Sequence, residues 1–345
     1  MKILHVAETI KGGVETYLRL LCEYQIEQGD EPILLCNEPV DWLDSDKQYV
    51  FPRESRGLKG LLELARSYKA ILKESDAQVI HLHGTFAGLI GRVLRRSAAG
   101  RPLVYCAHGW AYDRGDGVLR YAYMFVEWLL SFFCDAVIAI SEHDAERYVG
   151  GRGKLVLIEN ALADAFDVPP SFPDKKTLLY VGRLDRQKGI DLLVKAYDDG
   201  AYDFDLLVVG DSVLADATIN TQKSRCQFLG WLSAEQLQQL YGNVSAQIIP
   251  SRWEGFGLVA LEAMAASKMV LASNVGGLTK LVHGAEGIVF EANYDGLVEA
   301  LRKFDRIESA EIVHKGQVGR AFYEQGYRIE RLGQQVKALY SRLCG

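Results

Sequence analysis

The sequence predicts an α/β protein of two doubly wound domains facing a central cleft. Three observations predict it. The chain has 345 residues, which at about 150 residues per domain corresponds to two. Short Val-, Ile- and Leu-rich runs alternate with amphipathic stretches, the pattern of parallel strands covered by helices on both faces. The alternation breaks at Asp167 to Lys176, where DVPPSFPDKK holds three of the eight prolines, and then begins again.

The first strand is Lys2–Ala7, a short apolar run closed by Glu8. It is too short and too polar to read as a secretion signal. Further strands are expected at Pro32–Cys36, Val79–His83, Leu103–Ala107, Ala136–Ile140 and Lys154–Ile158. Between them the spacing predicts helices over Val14–Gln28, Leu58–Glu74, Phe86–Arg96, Leu119–Phe133 and Glu142–Val149. Tyr123 to Ile140 is the strongest candidate for a membrane span. Glu127 and Asp135 interrupt it, and its pattern changes midway from helical to strand-like, so a span is rejected. After the Pro-rich stretch, strands are expected at Thr177–Val181, Leu206–Val209, Cys226–Leu229, Gln247–Ile249, Val270–Ala272 and Gly287–Phe290. Helices follow at Ile190–Tyr197, Ala234–Tyr241, Leu258–Ala266 and Tyr294–Phe304, and the last stretch is helical throughout. The expected domains are 1–168 and 169–322, with a terminal helical segment 323–345.

Lys and Arg total 39 against 45 Asp and Glu, a net charge of −6, so no basic field is present to bind nucleic acid. A hydrophobic share of 49% with 24% charged residues excludes a disordered, collagen-like or disulfide-stapled chain. The six cysteines form no C-x-x-C pair and lie mostly in apolar runs, which reads as buried free thiols in a reducing compartment. The sequon Asn243-Val244-Ser245 carries no weight without secretion.

The most informative segment is Ile249 to Ala265, IPSRWEGFGLVALEAMA. A strand ends near Pro250, a loop carries Glu254, Gly255, Phe256 and Gly257, and a helix starts at Leu258. Glycines let a phosphate approach the backbone, and the first helical N–H groups point outward with partial positive charge. Glu262 lies eight residues after Glu254 in a nearly all-apolar helix. A carboxylate there needs a reason, and a ribose diol, offering two donors, suits it. In Val181 to Ile190, Gly182, Arg183 and Lys188 follow a strand and flank a helix start, an arrangement that makes a diphosphate clamp.

These two segments resemble the retaining glycosyltransferases of family 4 (group 1), which have the GT-B fold of two Rossmann-like domains. The resemblance rests on Gly182-Arg183-Leu184…Lys188-Gly189 and on Pro250-Ser251…Glu254-Gly255-Phe256-Gly257-Leu258…Glu262-Ala263-Met264-Ala265. It extends to Gly12-Gly13-Val14-Glu15 after the first strand, and to His108 in Tyr105-Cys106-Ala107-His108-Gly109. It also takes in Phe228-Leu229-Gly230-Trp231-Leu232, Asn274-Val275-Gly276-Gly277 and the C-terminal RLGQQVKALYSRL. Asp41–Lys59 matches nothing specific.

The resemblance implies that Arg183 and Lys188 hold the donor diphosphate and Glu262 the ribose. Trp231 and Leu232 would lie at the base, and Gly12 and Gly13 would approach the donor phosphate. Glu254, with Gly255 and the Phe256-Gly257-Leu258 backbone, would contact the donor sugar, and His108 would touch it near the reacting centre. The implied activity is hexosyl or N-acetylhexosaminyl transfer from a UDP- or GDP-sugar to a hydroxyl of a glycan or lipid-linked acceptor, in bacterial surface polysaccharide synthesis. The nucleotide sugar is a substrate, and neither cofactor nor metal is expected. The expected location is cytoplasmic, at the inner face of the membrane if the basic helices dock there.

Other readings are weighed against this. The same fold hosts epimerases and phosphorylases, and a non-catalytic sugar-nucleotide binder is a further alternative. Gly255 to Ala260 fits G-x-G-x-x-[GA], but no acidic residue closes the following strand, which argues against a dinucleotide site. Asp44-Ser45-Asp46, in a polar loop, and Asp203-Phe204-Asp205, immediately before a strand, are D-x-D strings that read as chance. His5 and His283 read as structural, His81 as packing and His83 as facing the cleft; His81 and His83 lack an evident third partner for a metal. Lys59, Arg66, Lys69 and Lys73, with Arg92, Arg95 and Arg96, read as solvated helix faces or as an anionic-membrane contact of the first domain.

Overall fold

The computed structural model describes residues 1–52, 57–113, 117–164, 172–211 and 224–345. The chain forms two compact units: Met1–Ala161 with Ile329–Gly345, and Leu162–Arg328. Residues 167–171 of the Pro-rich stretch, with the expected boundary at 168/169, lie outside the described residues.

The first unit runs β1 Lys2–Ala7, α1 Gly13–Glu27, β2 Glu31–Cys36, β3 Gln48–Val50, α2 Leu58–Glu74, β4 Val79–His83, α3 Thr85–Val93, β5 Leu103–Cys106, α4 Gly117–Leu130, β6 Ala136–Ala139, α5 Glu142–Arg147 and β7 Leu155–Leu157. Its seven strands are ordered β3-β2-β1-β4-β5-β6-β7, every pair parallel. β3 is additional to the strands expected from sequence; three residues at a sheet edge are too few to show an alternating period. Strand order reverses between β1 and β4, and open α/β sheets bind ligands at the carboxyl ends of strands flanking such a reversal.

Successive strand residues point to opposite faces. Leu4, Val6, Ile80 and Leu82 share one face and pack with Leu103, Tyr105, Leu64 and Tyr68. The opposite face carries His5, His81 and His83, with His5 paired in register with His81 and Ala7 with His83.

The second unit runs β8 Thr177–Val181, α6 Ile190–Asp199, β9 Asp205–Val209, β10 Gln227–Gly230, α7 Ala234–Gly242, β11 Ala246–Ile249, α8 Leu258–Ala265, β12 Met269–Ser273, α9 Leu278–Gly284, β13 Ile288–Phe290, α10 Tyr294–Arg306 and α11 Ser309–Gly326. Its order is β10-β9-β8-β11-β12-β13, with the reversal between β8 and β11. The short helix α9 is additional to those expected. The C-terminal helical stretch divides at Tyr327-Arg328, and α12, Ile329–Cys344, belongs to the first unit. There it packs on α1 so closely that a Cβ on Gly333 would strike the Tyr24 ring, and Lys337 Nζ lies 3.1 Å from Asp30.

Two expectations about helices change. Arg92 is not on a solvated face: it is buried and forms a bidentate pair with Glu127, at 2.8 and 3.1 Å. Its guanidinium lies 3.8 Å over the Tyr105 ring. Arg95 pairs with Asp135 at 3.0 Å. Arg92 of α3 and Arg95 just after it are therefore taken up by carboxylates, and of the three arginines Arg96 alone is exposed. On α2 the expected pattern holds, with Leu64, Tyr68, Ile71 and Leu72 buried and Lys59, Arg66, Lys69 and Lys73 exposed.

Candidate active site

In the second unit the chemistry-bearing loops follow β8 and β11, the two strands flanking the reversal. Their backbones touch. Gly189 has φ +69° and a Cβ there would collide with the Pro250 carbonyl oxygen. The Arg252 N–H donates to the Gln187 carbonyl at 2.8 Å. Across this junction Lys188 Nζ lies 2.6 Å from Glu254 Oε2, with both side chains largely buried. The Ser251 hydroxyl donates to the same carboxylate oxygen at 3.3 Å. Arg183 is more open, donating from Nε to Asp185 at 2.8 Å and from a terminal nitrogen to Gln187 at 2.9 Å. The Tyr180 hydroxyl donates to the Arg183 carbonyl at 2.7 Å and ties that turn to β8.

A third loop, after β12, closes on the Glu254 segment. Gly276 has φ +54°, and a Cβ there would collide with the Glu254 carbonyl oxygen. The Gly277 N–H donates to the Gly255 carbonyl at 3.2 Å. Gly182 sits where β8 ends, its N–H donating to the Val209 carbonyl at 3.0 Å, and a Cβ on Gly210 would strike the Gly182 carbonyl.

The helix starts are equally informative. α6 begins behind Gly189 and α8 behind Gly257, both in the left-handed region and without a side-chain cap. α9 and α11 also start without a side-chain cap, whereas α7 and α10 are capped by Ser233 and Asn293. An uncapped N-terminus leaves first-turn N–H groups available to an anion, although at α6 the Asp191 carboxylate already takes backbone bonds from Asp191 and Leu192. Leu258 opens α8 and Phe256 is buried beside it. Glu262 is half-buried between buried Leu261 and Ala263, and it raises the pKa of the buried Tyr241 phenol, a shift due first to burial. Trp231 and Leu232 follow β10, and Trp231 is 70% exposed, an indole with an open face.

In the first unit, Gly12 (φ +64°) caps α1 without a side chain, and Gly12 and Gly13 are exposed. His108 follows β5 with φ +54°, a backbone conformation uncommon for a residue with a Cβ. It is half-buried, with the Tyr17 ring edge-on at 4.8 Å. His108 Nε2 is 3.0 Å from His83 Nδ1, His83 Nε2 is 3.0 Å from His5 Nδ1, and His5 Nε2 is 2.9 Å from Gln25 Oε1. Behind them His81 Nδ1 is 2.7 Å from the Tyr340 hydroxyl of α12. Burial pushes His5 and His108 down to about 4, and His81 and His83 further below the usual imidazole range. All four rings are therefore neutral at pH 7.

This corrects the sequence reading of the histidines. His83 does not face a cleft: it is 2% exposed and joins His5 to His108. His5 is a member of the cluster, and His5, His81 and His83 bring one ring nitrogen each within 4.8 Å of one another, the third partner that was not evident from spacing. The signal was strand parity, and it needed the β1–β4 register to be read. The D-x-D strings lie in local contacts: Asp44 pairs with Lys47 at 2.8 Å and Asp205 with Lys175 at 2.7 Å.

Residues 11–165 match the profile described as Glycosyltransferase Family 4, and residues 163–315 that of Glycosyl transferases group 1. The chain is 28% identical to an uncharacterized 41.2 kDa protein in the cps region of Klebsiella pneumoniae, over 82% of this chain and 83% of that one. It is 25% identical to the UDP-Gal:alpha-D-GlcNAc-diphosphoundecaprenol alpha-1,3-galactosyltransferase of Escherichia coli, over 89% and 88%. Among solved structures, Anabaena HepE in complex with UDP-glucose superposes with a TM-score of 0.83 at 20% identity, covering 99% of this chain and 100% of that one. Two parallel sheets, loops gathered at the reversal of the second, and profile matches running through both units together place this chain in the group 1, family 4 glycosyltransferases of GT-B fold.

Proposed function

We propose that the enzyme transfers a hexose or N-acetylhexosamine with retention from a UDP- or GDP-sugar to a hydroxyl of a glycan or lipid-linked acceptor, in bacterial surface polysaccharide synthesis. The observation that carries this reading is the Lys188–Glu254 contact at the β8/β11 reversal, beside two uncapped helix starts. In this reading Lys188 and Arg183 neutralise the leaving diphosphate, which in water-poor surroundings is the largest lever on such a reaction. Glu262 holds the ribose, Trp231 and Leu232 lie at the base, and Gly182 and Gly12-Gly13 let phosphate approach the backbone. Glu254, with the Gly255 to Leu258 backbone, orients the sugar, and His108 contacts it. The anomeric carbon–oxygen bond to the diphosphate breaks, a bond to the acceptor oxygen forms on the same face, and the acceptor's proton passes to the departing diphosphate oxygen. No metal takes part, the two cations serving in its place. A relative whose printed name specifies a UDP-sugar donor and a diphosphoundecaprenol acceptor supports this substrate class.

The acceptor reading has its own support in α4, which is amphipathic in the inverted sense. Among its described residues Glu127 and Leu130 are buried, while Val118, Leu119, Tyr121, Phe125 and Trp128 are exposed. Glu127 is held inward by Arg92, which leaves the apolar face outward. Tyr and Trp side chains pair an apolar body with a polar tip and suit the headgroup boundary of a bilayer. No helix among the described residues is long and apolar enough to cross a membrane, so the proposed contact is peripheral. The six free thiols support a reducing compartment, the cytoplasm, as the place of action.

A thermal-shift screen of UDP- and GDP-sugars, followed by transfer to an undecaprenyl-diphosphate sugar with the product anomer read by NMR, tests the reading. An inverted product overturns retention, turnover without acceptor favours an epimerase, and dependence on free phosphate favours a phosphorylase. Binding of a donor without any turnover marks a non-catalytic protein. Flotation with anionic vesicles tests α4: Phe125→Ser with Trp128→Ser is expected to abolish association. Unchanged flotation, or self-association through this face in sedimentation, overturns the bilayer contact.

A further inference from the structure

The four bonded groups His108, His83, His5 and Gln25 form one chain, and its chemistry has a direction. A neutral imidazole carries one N–H and one lone pair, so each ring that accepts at one nitrogen donates at the other. The Gln25 amide fixes the sense. Gln25 presents its amide oxygen to His5 Nε2 at 2.9 Å and also bonds the Tyr340 hydroxyl, which lies 2.7 Å from His81 Nδ1. With the amide oxygen on His5, the NH2 is the group left to face Tyr340, and His5 Nε2 is the donor to Gln25. His5 then donates from Nε2 and accepts at Nδ1, His83 donates from Nε2 and accepts at Nδ1, and His108 donates from Nε2.

We propose that His5 and His83 are positioning residues that hold His108 as its Nε2–H tautomer, so that the ring presents the Nδ1 lone pair and recognises a hydroxyl proton rather than an anionic oxygen. This rests on the reading that His108 contacts the donor sugar, and it adds which group on the sugar His108 can take: a hydroxyl, donating. An unanchored imidazole samples both tautomers, and its Nδ1–H form presents a donor where an acceptor is needed. The chain also restrains the ring, which stands on a residue with φ +54°. Its far end is set by α12, so a helix from the end of the sequence fixes the proton of a residue after β5. Burial disfavours a charged ring at every link, which keeps the relay neutral and its direction defined.

Two-bond 1H–15N correlation spectra of protein carrying 15N-histidine read the tautomer directly. The wild-type protein is expected to show His108 protonated at Nε2. Gln25→Leu, two imidazoles away from His108, is expected to give a mixture of tautomers, and to lower kcat by about tenfold while KM for the nucleotide sugar moves less than about threefold. His83→Phe, which removes the bond to His108 while keeping a planar ring, is expected to do the same. A wild-type His108 protonated at Nδ1, or an unchanged tautomer in Gln25→Leu, overturns the proposal. So does stoichiometric Zn2+ binding in calorimetry that is lost in His81→Phe, because a metal would replace the protons of the chain. Since the wild-type spectrum needs no variant to fold, the proposal stays falsifiable. Failure of the underlying reading looks different: His108→Ala would then transfer at the wild-type rate whatever the spectra show.

Discussion

Lys188 and Glu254, 66 residues apart, meet at 2.6 Å because their loops follow the two strands flanking the sheet reversal. Each is the other's counter-ion, so in the proposed function a diphosphate entering the site would exchange one anionic partner of Lys188 for another. Glu254→Gln removes that competitor. It is expected to leave nucleotide-diphosphate affinity unchanged or a few-fold tighter in calorimetry and to lower transfer at least about a hundredfold. Lys188→Ala is expected to weaken diphosphate binding at least about tenfold and to lower transfer as strongly. Wild-type transfer by either variant would sink the assigned roles.

Arg92 and Glu127 bind α3 to α4 through a bidentate contact, both almost fully buried. Removing one partner strands a buried charge, so Arg92→Ala or Glu127→Ala should each cost about 3–5 kcal/mol in urea denaturation. Replacing both together, as Arg92→Met with Glu127→Leu, should cost less than either single change. Additive losses would show that the pair does not act as a unit.

Gly276 is the tightest point of the loop that abuts Glu254. Ala there has both an unfavourable φ of +54° and a Cβ driven into the Glu254 carbonyl. Gly276→Ala is expected to lower stability by about 1–3 kcal/mol and to cut transfer more than tenfold by displacing Glu254. Gly151→Ala, at a position with negative φ and open space, serves as the control and should change neither.

The histidine cluster predicts a steep acid limit. His5, His81, His83 and His108 all have folded-state pKa values below the usual 6.5, so they bind protons in the unfolded chain first. Stability is unaffected well above pH 6.5 and falls as pH drops from there toward about 4, by up to about 1.4 kcal/mol per pH unit for each ring. Asp144 acts in the opposite sense. Burial, with Asp113 nearby, raises it to about 7, so it gains a proton in the fold between pH 7 and 4 and offsets one ring. Glu15 and Glu23, also raised by partial burial, add to that offset. The melting temperature is expected to fall steeply below pH 6, and His81→Phe should flatten the slope. A flat profile between pH 7 and 5 would contradict the cluster's neutrality.

The sequence by itself determined the elements and the two glycine-rich, charged loops of the second unit. Period-2 and period-3.6 patterns located nearly every strand and helix, because burial on two faces leaves that signature in local composition. Gly182, Arg183 and Lys188 in one loop, and Glu254 to Glu262 in another, were legible because glycines and charged residues gathered at a strand-to-helix turn are local features. The tertiary structure alone decided which of these residues meet. Lys188 reaches Glu254 only through strand order, Arg92 is buried only because α4 offers Glu127, and β3 and α9 are too short to leave a period. The histidine chain is the clearest case. His5, His83, His108 and Gln25 lie on β1, β4, the turn after β5 and α1, and only the register of parallel strands, with α12 laid across α1, sets their nitrogens at bonding distance. Register is a relation between distant segments, so no local window of sequence contains it.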